Sequence, residues 1–172
     1  ERLAYVSDAG TPAISDPGAR LVQAVRAAGC RVMPLPGPSS VTTLLSAAGL
    51  DAGLHGTEAG GFTFVGFLPA KTLERERAVQ ALAAECRAVV LLEAPHRLTE
   101  PARALAVLGQ RAVSVGRELT KQFEEIDTVP CASLGAWLTA QPQRLKGEFA
   151  LVLHPQPVVV AAEGTLPEQA LH

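Results

Sequence analysis

Several short stretches combine residue types that could hold and activate a small molecule. Val6-Ser7-Asp8-Ala9-Gly10-Thr11-Pro12 leads directly through Ala13-Ile14 into Ser15-Asp16-Pro17-Gly18, giving two acid-turn clusters in quick succession. A carboxylate beside glycine offers an acceptor where the backbone itself can come close to a ligand. Pro36-Gly37-Pro38-Ser39-Ser40 places two hydroxyls at the mouth of a helix, where unpaired N–H groups face outward. Glu93-Ala94-Pro95-His96-Arg97 and Arg117-Glu118-Leu119-Thr120-Lys121 each join a carboxylate to a guanidinium, and Lys146-Gly147-Glu148 adds a third charged group. Such carboxylates can accept from a ribose hydroxyl or an amine, and the N–H groups can bind a carboxylate. Taken singly, each cluster is equally a surface ion pair or a helix cap, worth little. Asp16 reads as a cap, with Pro17 at the first helical position. Asp8 lies too far ahead of that helix to cap it. His96 follows Pro95 near a helix start and reads as structural.

The positions of these stretches decide between the two readings. Leu3–Val6 is an apolar run that reads as a buried strand, and Leu21, Val22, Val25 and Ala28 recur on a helical face that Gly29 would end. Arg31–Leu35 reads as a second strand, followed by a helix to about Ala48. Strand, loop, helix, repeated, is the signature of parallel α/β units. Residues 51–61 hold four glycines and little periodicity, which marks a linker. Phe62–Phe67 alternates like a strand, and Leu73–Cys86 is an amphipathic helix. Ala88–Leu92 is a continuous apolar strand, as expected of a central one. Pro101–Leu108 is helical, Ala112–Val115 a strand, Ser133–Ala140 a helix around Trp137, and Phe149–Leu153 the closing strand. The organisation expected is therefore residues 1–50 as the C-terminal half of an N-terminal α/β domain, residues 62–154 as a complete C-terminal α/β domain with a mixed sheet, and residues 155–172 as a tail. Ligands of α/β sheets bind beyond the strands' carboxyl ends. The loops after residues 6 and 35 fall there, and the two charged clusters after residues 92 and 115, with Lys146-Gly147-Glu148 just before the last strand, make a polar rim a better account than coincidence.

Composition narrows the classes. The 172 residues are 48% hydrophobic and 19% charged, with a formal net charge of −2. No global basic field exists, so a nucleic acid would be held by local patches. Cys30, Cys86 and Cys131 are far apart, and His55, His96, His154 and His172 show no ligand spacing, so no metal is expected. No apolar run approaches the ~20 residues of a membrane span. No signal-peptide pattern is present, and a cytoplasmic location is the expectation. No GxGxxG, GxxxxGK[ST] or GxSxG pattern occurs. The first residue is Glu1 and the only methionine is Met33, so a fragment of a longer protein, with weak or no activity of its own, is expected.

Taken in order, these motifs, together with Pro34-Leu35 before the second loop and Gly66-Phe67-Leu68-Pro69, resemble the ribosomal RNA small subunit methyltransferase I family, which is similar to the tetrapyrrole (corrin/porphyrin) methylases. The resemblance covers residues 3 to about 154. It lacks the family's opening strand and Glu-Asp-Thr-Arg motif, and its last helical segment. It implies a tetrapyrrole-methylase-like α/β fold and S-adenosylmethionine-dependent 2′-O-methylation of a cytidine in the decoding region of 16S rRNA, on the 30S subunit. It also implies a homodimer. Carried over residue by residue, Asp8, Ala9, Gly10, Ser39, Ser40, Leu92, Glu93, Ala94, Gly147 and Glu148 would meet the cofactor. Arg97, Arg117 and Lys121 would contact RNA phosphates, and Glu118 or Glu93 would serve as general base. The alternatives are a precorrin or diphthine methylase of the same fold, and a non-catalytic ligand-binding or dimerisation module.

Overall fold

The computed structural model describes residues 2–7, 10–50 and 61–156. Two helices, α1 (Ala19–Ala27) and α2 (Ser40–Ala47), precede a five-stranded sheet. The sheet strands are β1 (Phe62–Gly66), β2 (Ala88–Glu93), β3 (Ala112–Arg117), β4 (Glu125–Pro130) and β5 (Phe149–Leu153), joined by α3 (Thr72–Ala83), α4 (Thr99–Leu105) and α5 (Leu134–Thr139). Their spatial order is β1-β2-β5-β3-β4.

β1 and β2 are parallel, and the last strand, β5, enters antiparallel between β2 and β3. That insertion matters for function. It brings the start of β5 to the same edge of the sheet as the carboxyl ends of β2 and β3. Phe149 pairs with Glu93 on one side and with Arg117 on the other. The residues just before β5 thus meet those just after β2 and β3.

Alternation along the strands sends apolar side chains to both faces. Val89, Leu91, Val113, Val115, Leu151 and Leu153 pack under α3, α4 and α5 with Val79, Leu105, Leu134 and Leu138. Ala88, Val90, Ala150 and Val152 form the opposite face, sealed by Leu44, Leu45 and Ala48 of α2. Each leucine so removed from water contributes about 1.5–3 kcal/mol. Because β2 and β5 are covered on both sides, they read as near-continuous apolar runs, and β3 does so apart from its buried Ser114 and Arg117. Arg111 holds the far edge together. Its guanidinium donates to the carbonyls of His154, Leu82 and Arg87 at 2.8, 2.8 and 3.1 Å.

Three expectations need correction. Leu3–Val6 and Arg31–Leu35 pair with no strand among the described residues, and Leu3 and Leu35 are 94% and 77% exposed. Apolar runs become strands only where a neighbour supplies the ladder. Asp16 does not cap α1. Gly18, at φ 132°, is the N-cap, no side chain caps the helix, and the first helical residue is Ala19. β4 was not anticipated at all. Gly29, by contrast, ends α1 as expected: it sits at φ 73° and donates to the Arg26 carbonyl at 3.0 Å. The expected linker at 51–61, apart from Gly61, and the tail, apart from Pro155 and Gln156, lie outside the described residues.

Candidate functional site: a cleft at the carboxyl edge of the sheet

A cleft of ≈ 460 Å³ opens at the edge where β5 enters, within the usual size of a small-molecule site. Its floor is the row Leu92, Ala150 and Gly116, one residue from each of β2, β5 and β3. Two of these three are the smallest side chains available, which leaves room above the sheet. A Cβ added at Gly116 would lie 2.9 Å from the Leu119 methyls and 3.0 Å from Leu44, so those side chains would have to shift to admit it.

One wall is the start of α2. Pro38, Ser39, Ser40 and Val41 line it. Ser39 is an extended N-cap whose side chain makes no capping bond, and the first-turn N–H groups of a helix have no partner within it. A second wall is the loop of Gly10, Thr11, Ile14, Ser15 and Asp16. Tyr5 ties this loop down by donating its hydroxyl to the Pro17 carbonyl at 2.9 Å, and Thr11 donates to the Pro38 carbonyl at 3.4 Å. The third wall is Glu93, Ala94, Pro95 and His96 after β2, facing Leu119, Thr120, Lys121 and Glu148.

The charged groups here are not equivalent. Glu118 turns back at φ 48° and lays its carboxylate on Gly147. Its Oε1 accepts the Glu148 N–H at 2.8 Å and the Lys121 ammonium at 3.1 Å. The Glu148 N–H, then Lys121, hold its carboxyl below the usual carboxylate range. Lys121 also reaches Glu148 at 2.6 Å, and that contact, followed by Glu118, raises its pKa. Glu93 is 4% exposed. Its Oε1 accepts the Ala94 N–H at 2.9 Å and lies 3.4 Å from Arg97 Nε, while Oε2 is buried without a partner among the described residues. A buried, unused carboxylate oxygen costs free energy unless something donates to it.

Of the expected cofactor residues, Gly10, Ser39, Ser40, Leu92, Glu93, Ala94 and Glu148 come together around this one cleft, and Gly147 backs it through Glu118. Asp8 and Ala9 lie outside the described residues. Of the expected phosphate contacts, Lys121 lines the cleft, and Arg97 is one-third exposed while donating to the Leu68 carbonyl. Arg117 is buried, 7% exposed, and donates to the carbonyls of Lys146 and Phe123. The sequence reading missed Thr11, Asp16, His96, Leu119, Thr120 and Ala150 as lining residues. Asp16 and His96 carried a signal that was assigned to capping and to packing, Thr11, Leu119 and Thr120 lay within the quoted stretches without being singled out, and Ala150 carried none.

Backbone strain marks the same place. Ala13, Ser15, Glu118 and Thr120 are the non-glycine residues with positive φ among those described. All four fall in the two loops that flank the cleft. Each costs about 1–3 kcal/mol, and such strain concentrates at functional sites.

Comparison with known proteins agrees with this geometry. The model of the tetrapyrrole (corrin/porphyrin) methylases matches residues 1–135. A ribosomal RNA small subunit methyltransferase I of Vibrio cholerae is 45% identical over 171 residues, covering 98% of this chain and 56% of that protein. The chain spans about half the length of the curated relatives it matches. Among solved structures, a cobalt precorrin-4 methyltransferase of cobalamin biosynthesis superposes with a TM-score of 0.60 at 17% identity, covering 84% of this chain and 61% of that one. A uroporphyrin-III C-methyltransferase from Thermus thermophilus, complexed with S-adenosylhomocysteine, superposes with a TM-score of 0.52 at 20% identity, covering 83% and 62%.

Proposed function

The chain belongs to the tetrapyrrole (corrin/porphyrin) methylases, and from that premise we propose that its cleft serves S-adenosylmethionine-dependent methylation of small-subunit ribosomal RNA, at the 2′-oxygen of a cytidine ribose. The observation that carries this reading is 45% identity, over nearly the whole chain, to a relative named for that RNA. The solved neighbours share the fold at 20% identity or less, and likeness at that level says nothing of substrate.

The residues fit the group. The floor of Leu92 and Ala150 suits a flat apolar ring, and the first-turn N–H groups of α2 suit a carboxylate. Asp16 and Glu93 offer carboxylates to hydroxyls or an amine. S-adenosylmethionine, when bound, supplies a methyl group on a sulfonium. What remains for the protein is to align the ribose oxygen with that methyl and exclude water, and alignment alone can supply much of the rate. As the ribose oxygen forms its bond to carbon it must lose a proton. Glu118 is a poor acceptor, because Lys121 and the Glu148 N–H already satisfy the oxygen it presents. Glu93 keeps an oxygen with no partner among the described residues and is the better candidate, once its buried side chain turns toward the cleft. Lys121, which lines the cleft, and Arg97, one-third exposed, are the cations proposed to meet RNA phosphates.

Among the described residues no helix is long and apolar enough to cross a membrane. A ribosomal substrate implies the cytoplasm. Exposed Leu3, Val6, Met33 and Leu35 favour pairing of two copies through the first segment. Calorimetry with S-adenosylmethionine, followed by tritiated-methyl transfer to undermethylated 30S subunits, tests the reading. The expected result is cofactor binding and alkali-stable label at one cytidine ribose, reduced by Glu93→Gln far more than by Glu118→Gln. Label on a base, or on no RNA while a corrinoid or protein acceptor is labelled, refutes it.

A further inference from the structure

Arg117 is buried, yet it joins two loops that are not. Its Nε donates to the Lys146 carbonyl at 2.7 Å and its terminal nitrogen to the Phe123 carbonyl at 3.2 Å. One rigid guanidinium fork thereby fixes the loop after β3 against the residues that lead into β5. Beside those pinned carbonyls stand two exposed side chains. Phe123 is 67% exposed, and Lys146 is exposed as well.

The loop that carries Phe123 is held at other points. The Thr120 N–H donates to the Glu124 carboxylate at 2.6 Å, and the Glu124 N–H donates to the Lys121 carbonyl at 3.2 Å. An aromatic ring on so constrained a backbone is presented to solvent by construction. The neighbouring acids are already engaged. Glu118 and Glu148 hold Lys121, Glu125 holds Arg144, and Glu124 caps Thr120. Lys146 makes no ion pair among the described residues. Thr120, Lys121 and Glu148 line the cleft, so both exposed side chains lie within three residues of its rim.

We infer that Phe123 and Lys146 form a nucleotide-binding patch at the mouth of the cleft: an unpaired base of RNA stacks on the Phe123 ring and its phosphate meets the Lys146 ammonium. The inference rests on the RNA-substrate reading above and deepens it. A ribose can enter a cleft in a folded sheet edge only if its nucleotide leaves the helix, and an unstacked base needs a new surface. Every base has a face that an aromatic ring can cover, so Phe123 would tolerate any neighbour of the target. Arg117 is then a positioning residue, acting through the two carbonyls it holds.

The test uses the full chain and a short single-stranded RNA carrying 2-aminopurine, titrated by fluorescence. Quenching on binding is expected, with Phe123→Ala weakening affinity by about tenfold and Phe123→Trp retaining it. Lys146→Ala should weaken binding to all sequences alike and lower the salt slope by about one. Both alanine variants should keep the melting temperature and the S-adenosylmethionine affinity of the parent. The inference is overturned if Phe123→Ala binds the RNA as the parent does, or if its loss accompanies a change of oligomeric state by light scattering, which would assign the ring to a protein contact. A parent chain that binds S-adenosylmethionine but not the RNA overturns it too and leaves the methyltransferase reading standing. RNA binding that follows Phe123 and Lys146, with methyl transfer to a corrinoid or protein acceptor and not to RNA, upholds the patch and sinks that reading instead.

Discussion

Gly147→Ala is the sharpest probe of how the cleft is built. Gly147 sits at φ 93°, where an alanine costs about 1–2 kcal/mol of backbone strain. A Cβ there would lie 2.6 Å from Cγ and Oε1 of Glu118 and 2.7 Å from its Cδ. The glutamate can swing aside, but then Oε1 gives up the Glu148 N–H and the Lys121 ammonium. Hydrogen bonds to a charged group are worth about 1.5–3 kcal/mol, and partial exposure argues for about 1–2 here. The total is about 2–4 kcal/mol, or a fall in melting temperature of roughly 5–15 °C for a domain of this size. Thermal unfolding followed by circular dichroism measures it.

A double-mutant cycle separates the two contributions. In a Glu118→Ala background the collision is gone, and Gly147→Ala should cost only the backbone part. The coupling between the two positions should therefore be about 1–2 kcal/mol. It should also depend on pH. The Glu148 N–H, more than Lys121, holds the Glu118 carboxyl below its ordinary value of 4.5 in the folded state. A group depressed in this way stabilises fully above that ordinary value and loses its contribution as pH falls below it. The coupling should then shrink as pH falls below the ordinary value of 4.5. Additivity within about 0.3 kcal/mol at neutral pH would refute the reasoning, since the glycine would then have no special relation to the carboxylate.

Three further outcomes are expected. Arg111→Met leaves three carbonyls without their donor in a site 7% exposed, and should lower stability by about 3–5 kcal/mol, read as a shifted urea midpoint with unchanged slope. Burial pushes the Cys131 thiol up to about 11 and leaves it 0% exposed, so Ellman's reagent at pH 8 should label exposed Cys30 at once and Cys131 only on unfolding. Burial, and secondarily Arg111, lowers the pKa of His154, whose Nε2 meets Ser114 Oγ at 2.7 Å. Its contribution is present above the ordinary value of 6.5 and is lost as pH falls, so His154→Gln should flatten the stability profile below that value.

How much of this was legible in the sequence depends on the range of the physics involved. β2 and β5 announced themselves, because strands buried on both faces need unbroken apolar runs. Trp137 and the helix around it were equally plain. β4 was not, because Glu125-Ile126-Asp127-Thr128-Val129-Pro130 mixes acids into an edge strand that ends in proline, and only pairing with β3 defines it. Asp16-Pro17-Gly18 satisfied the local rule for a capped helix, but Gly18 takes φ 132° and delays the helix to Ala19, freeing Asp16 for the cleft. The convergence of Glu93, Arg117 and Glu148 was visible as a coincidence of strand ends. Its cause was not, since nothing local says that β5 runs antiparallel between β2 and β3.

The strained residues sharpen the point. Ala13, Ser15, Glu118 and Thr120 hold positive φ without glycine's freedom, and no residue type in that set predicts it. Local propensity opposes these conformations, so tertiary contacts must impose them. For Glu118 the contacts are known: the Glu148 N–H, Lys121 and the space above Gly147. A loop held against its own preference returns to a relaxed form once those contacts go. Loss of Glu118, Lys121 or Gly147 should therefore loosen the 118–124 loop as a unit, and with it both Thr120 in the cleft wall and Phe123 at the rim.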